Sequence, residues 1–95
     1  MANSDRATAP AVVRAVRILS DLAEHPNAQR LTAIAGAIGI PVASTAAICN
    51  ALEAERMIVR RNEGYVMGPL NVELAQRFLS QLHPLSAFAD VVSDH

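Results

Sequence analysis

Residues 36–52 read GAIGIPVASTAAICNAL, and the fold turns on the four in the middle, Ile38-Gly39-Ile40-Pro41. Glycine suits the left-handed position that ends a helix. Proline suits the first turn of the next one, where its missing N–H costs nothing. Ahead of the turn, Ile34, Ala35 and Ile38 form a short helical stripe, with Thr32 as N-cap. Behind it, Thr45, Ile48, Cys49 and Leu52 fall on one helical side, while Val42, Ala43, Ala46, Ala47 and Asn50 fall on the other. The spacing predicts a helix over about Ala33–Ile38 and another from Pro41 or Val42 to Glu55. Two helices joined by a tight glycine turn make a helix-turn-helix. Cys49 reads as a small buried hydrophobe on the inner face.

Working outward, AVVRAVRILSDLAEH places Val12, Ala15, Val16, Leu19, Leu22 and Ala23 at helical spacing, which predicts a first helix over about Ala11–Glu24. The stretch ERMIVRRNEGYVMGP changes period. MIVRR and YVMG are strand-like runs joined by NEG, with Gly64 able to take positive φ, so residues 57–68 are expected to form a β-hairpin. From about Asn71 a further helix carries Val72, Leu74, Ala75, Phe78, Leu79 and Leu82, and Pro84 interrupts it. The chain thus divides into a loose tail (1–10), a folded unit (11–70) and a C-terminal linker or dimerisation helix with its tail (71–95). The expected fold class is mainly α: a winged helix-turn-helix, with a three-helix core, a hairpin wing and an additional C-terminal helix.

Ninety-five residues support one small core. The chain is 52% hydrophobic but only 3% aromatic, so that core is aliphatic. Net charge is −1, and attraction to nucleic acid must therefore be local rather than global. All eight basic residues are arginine, the better bidentate partner for phosphates and guanine edges. A single cysteine allows no internal disulfide, and the three histidines lie far apart, so neither a metal nor another cofactor is expected. No apolar run reaches the ~18–20 residues that span a bilayer. The polar N-terminus has no apolar signal core behind it. A cytoplasmic protein without membrane contact is the expectation. No serine–histidine constellation, phosphate loop or carboxylate pair is legible, so an enzyme is not expected.

The ordered set of segments resembles the DNA-binding domain of the isocitrate lyase regulator (IclR) family of bacterial transcription factors. AVVRAVRILSDLAEHP is similar to that family's first helix and LTAIAGAIGIP to its second helix and turn. ALEAERMIVRRNEGYVMGP is similar to the end of its reading helix and its wing, and NVELAQRFLSQL to its linker helix. The likeness covers about residues 11–83. It implies a homodimer whose two reading helices enter successive major grooves. It does not extend to the family's effector-binding domain, which implies no small-molecule effector site within these residues. Where the family typically carries Lys-Ser-Thr after the turn proline, this chain has Val42, Ala43 and Ser44. Ala46 and Ala47 stand where a large polar or aromatic residue and an arginine are usual, and Arg56 stands where glycine is common.

Base edges are read by donors and acceptors, and thymine also through its methyl group. Val42, Ala43, Ala46 and Ala47 offer methyl contacts only. Asn50 is the one side chain able to bond adenine, and Ser44 can bond a phosphate near the helix N-terminus. Arg56, Arg60 and Arg61 are the expected cationic contacts. Arg60 and Arg61 alternate along a strand, so only one of them reaches the backbone of the duplex. Arg14, Arg17 and Arg30 are as readily solvated charges or partners for Asp21, Glu24, Glu53 or Glu55. The expected function is a DNA-binding regulator with weak base readout from an alanine-rich helix. The alternative is a winged helix that docks another protein and has lost or reduced DNA binding. Val72, Leu74, Phe78, Leu79 and Leu82, with Leu85 and Phe88 beyond them, exceed what one covered face needs. The first and last helices are therefore expected to pair between two copies.

Overall fold

The computed structural model describes residues 9–82. Leu85 and Phe88, and whatever follows Pro84, lie outside them. In chain order the elements are α1 (Pro10–Ala23), α2 (Leu31–Ile38), α3 (Val42–Ala54), β1 (Ile58–Arg61), β2 (Gly64–Met67) and α4 (Leu70–Leu82). This is the mainly helical winged helix-turn-helix read from the sequence, with boundaries within two residues of those expected.

The core gathers residues from every element except α4. Ile18 and Leu22 of α1, Ile34 of α2, Cys49 of α3, Ile58 of β1 and Tyr65 of β2 are buried together, and Leu19, Ile38, Ile48 and Leu52 pack around them. Thr45 is also fully buried. Its hydroxyl donates to the Pro41 carbonyl one turn back at 2.9 Å, so no polar atom is left unpaired there. The α2–α3 turn is made by Gly39 at φ 82, ψ 36, whose N–H closes on the Ala35 carbonyl at 2.8 Å. The two helix axes meet at 109°.

Two local expectations are corrected, and one turn appears that the sequence did not suggest. Thr32 does not cap α2, because the helix starts at Leu31, and Arg30 at the cap position makes no side-chain cap. The chain is pinned two residues before the helix, where Gln29 and Tyr65 exchange both backbone hydrogen bonds at 2.9 Å. Nor does Gly64 take positive φ. The register Arg61↔Gly64 leaves a two-residue loop, and its left-handed residue is Asn62 at φ 57. Glycine at 64 instead allows close approach, since a Cβ there would lie 2.6 Å from the Gln29 carbonyl oxygen. Finally, Arg56 occupies a left-handed position at φ 66. There it closes α3 in a Schellman turn, with Met57 N–H on the Leu52 carbonyl at 2.9 Å and its own N–H on that of Glu53 at 3.0 Å.

The last helix is different in kind. No residue of α4 is buried, and Val72, Leu74, Phe78 and Leu82 are all about half exposed or more. Among the described residues it is hydrogen-bonded to the body at its base. The Asn71 side-chain amide donates to the Met57 carbonyl at 2.7 Å and to the Gly68 carbonyl at 3.0 Å. Leu70 N–H donates to the Arg56 carbonyl at 3.0 Å.

Candidate nucleic-acid interface

α3 turns its apolar stripe inward and leaves Val42, Ala43, Ala47 and Asn50 exposed, with Ser44 and Ala46 half-buried at the margin. Pro41 supplies no side-chain cap, so no side chain occupies the first N–H groups of α3. That end of the helix is the natural seat for a phosphate. The residues expected at a DNA surface thus share one face, but their chemistry is almost wholly methyl.

The cations are arranged less freely than their exposure suggests. Arg60 pairs across the hairpin with Tyr65. Its guanidinium lies 4.9 Å from the centre of the Tyr65 ring and donates to both carboxylate oxygens of Glu53 on α3, at 3.2 and 3.4 Å. Arg61 takes the opposite strand face, is exposed, and makes no ion pair among the described residues. Arg56 donates two parallel bonds to Glu73 at the base of α4, at 2.9 and 3.0 Å. This bidentate pair holds the Glu73 carboxyl below the usual carboxylate range. Arg30 sits 2.8 Å from Glu63 at the wing loop. Of the partners considered from the sequence, only Glu53 is used for these arginines. Glu63 and Glu73 were invisible there, because ion pairs across a turn or a hairpin follow no period.

Cys49 lies fully buried behind the exposed face. Burial pushes its thiol up, against a smaller opposing pull from Arg60. The thiolate is the reactive form. Iodoacetamide at pH 8 should therefore modify the folded protein more slowly than the urea-unfolded chain, because burial both hides the thiol and disfavours its thiolate. Equal rates would show that Cys49 is accessible. Among the described residues no single helix is long and apolar enough to cross a membrane.

Three crossed helices, a tight glycine turn and a two-stranded wing define a winged helix-turn-helix DNA-binding domain. Residues 11–62 match the IclR helix-turn-helix domain, and the chain belongs to that family. Its fold is similar to that of the Agobacterium tumefaciens repressor BlcR, with a TM-score of 0.73 and 26% identity over 96% of this chain. The chain spans 37% of the length of the BlcR chain. No curated protein matches it.

Proposed function

We propose that the chain regulates transcription in the bacterial cytoplasm by binding duplex DNA as a homodimer, with affinity resting on the sugar-phosphate backbone rather than on base edges. The observation that carries this reading is the division of labour between α3 and the wing. The outer face of α3 offers Val42, Ala43, Ala46 and Ala47 for methyl contact and Asn50 for one polar base contact, while its N-terminus and Ser44 suit a phosphate. Arg61 faces out from the wing with no carboxylate on it among the described residues. Arg56 and Arg60 reach phosphates only by leaving Glu73 and Glu53. Dimerisation is supported by apolar surface that one copy leaves uncovered: Val12 and Val16 on α1, and Val72, Leu74, Phe78 and Leu82 on α4. Leu79 is half-buried on the same helix. Leu74, Phe78 and Leu82 are spaced four apart, one stripe along α4.

Titration of a random-sequence duplex at two salt concentrations tests the reading. Arg61→Ala should weaken binding to all duplexes alike and lower the slope of log K against log salt by about 0.9, the value of one lost phosphate contact. Arg60→Ala should change that slope less, because Glu53 already neutralises the side chain. Absence of duplex binding at low salt would overturn the proposal. The alanine face of α3 then fits a docking surface for another protein, since small side chains allow a helix to approach closely.

A further inference from the structure

The surroundings of Arg56 carry a role that DNA contact does not. Non-glycine residues are uncommon at positive φ, and Arg56 sits at φ 66 with its side chain, though exposed, paired to Glu73 of α4. Around it the chain is drawn tight. Gly68 N–H donates to the Met57 carbonyl at 2.8 Å, Leu70 N–H to the Arg56 carbonyl at 3.0 Å, and the Asn71 amide spans the Met57 and Gly68 carbonyls. Beyond that base, among the described residues, α4 has no buried residue. The direction of a helix thirteen residues long is therefore set by what happens at residues 56–57 and 68–73.

We infer that Arg56, Asn71 and Glu73 are positioning residues: they form a fixed joint that aims α4 relative to the three-helix head and so sets the separation of the two reading helices in a dimer. The last clause rests on the homodimer proposed above, and the joint itself does not. Surface ion pairs in general contribute little. This one acts at the base of a helix with no buried residue, and its two parallel bonds define an orientation as well as an attraction. Leverage does the rest. Thirteen residues at ~1.5 Å each give an arm of about 20 Å, so a change of about 10° at the base moves the far end by about 3 Å.

The test measures the angle inside one copy. Spin labels go on Ala37→Cys of α2 and Gln81→Cys of α4, both exposed sites, with Cys49 exchanged for alanine and the labelled chain diluted into unlabelled protein. The parent should give a single narrow distance. Arg56→Gly keeps the left-handed turn and removes the side chain; Glu73→Gln keeps the volume and removes the charge. Each should shift or broaden the distance by about 3 Å or more, the displacement expected of that arm, while the melting temperature of the head stays unchanged or rises for Arg56→Gly. Unchanged distances in both variants would overturn the joint. Labels on Ala51→Cys in the dimer then read the separation of the two reading helices, which should spread in the same variants. A protein that is monomeric but shows the first change loses the dimer and keeps the joint.

Discussion

Gly68→Ala is expected to lower the melting temperature by on the order of 12–24 °C, from a cost of about 3 kcal/mol in a domain this small. A Cβ at position 68 would lie 2.5 Å from the Arg56 carbonyl oxygen, 2.8 Å from the Met57 carbonyl carbon and 2.9 Å from Ile58 N. All three are backbone atoms, so no flexible side chain can move aside. The strain falls where the Schellman turn of α3, the edge of the hairpin and the start of α4 meet. Native domains hold only about 5–15 kcal/mol in total, so the loss is a large share of stability. Gly36→Ala is the matched control. Its added Cβ meets nothing within 4 Å on the exposed side of α2, so alanine should stabilise by about 0.5–1 kcal/mol through helix propensity. Thermal unfolding followed by circular dichroism measures both. A Gly68→Ala melting curve close to the parent's would mean that the backbone there yields more easily than its contacts indicate.

Ala47→Arg is expected to raise affinity for DNA by about 5- to 150-fold on duplexes that present guanine in the right register, the equivalent of the ~1–3 kcal/mol carried by a good bidentate base contact. Ala47 is exposed on the outer face of α3, with room for a long side chain, and the family usually carries arginine at this place. On duplexes without a suitable guanine the gain should shrink to the salt-dependent part alone. The variant therefore separates two kinds of loss. If α3 faces the groove but lacks readers, one arginine restores discrimination. If α3 no longer faces DNA, titrations of parent and variant coincide at every salt concentration.

The helices were legible because each has an apolar stripe that repeats at helical spacing, turned inward in α1, α2 and α3 and exposed in α4. Thr45, Ile48, Cys49 and Leu52 could be assigned to the interior before any coordinates, and two of the four are fully buried. Gly39 was legible for a different reason: one residue type favours left-handed backbone, and it stood at the end of an apolar stripe. Asn62 and Arg56 show where that signal fails. Both are left-handed without being glycine, and at the wing a glycine two residues later drew the assignment away from Asn62. Thr32 was misread because a cap is recognised locally, whereas the chain ahead of α2 is pinned to a distant strand through Gln29. The candidate interface was legible as a set of side chains and not as an electrostatic arrangement. Nothing in RRNEG says that Arg60 lies over Tyr65 and reaches Glu53 while Arg61 takes the other face. Strand alternation gives the division, but only the register decides which of the two faces the core.

The double hydrogen bond between Gln29 and Tyr65 has a kinetic consequence. It is a rung between residues far apart in the chain, so closing it before the intervening helices form costs the entropy of a long loop. α1 and the α2–α3 pair are built from local contacts and form cheaply; the wing's inner edge must first meet the entropy of closing a long loop. The order of assembly is therefore expected to run from helices to hairpin. The base of the wing, once joined, opens only with the core, while its two-residue tip, held by no such rung, is left to conform to whatever surface it meets.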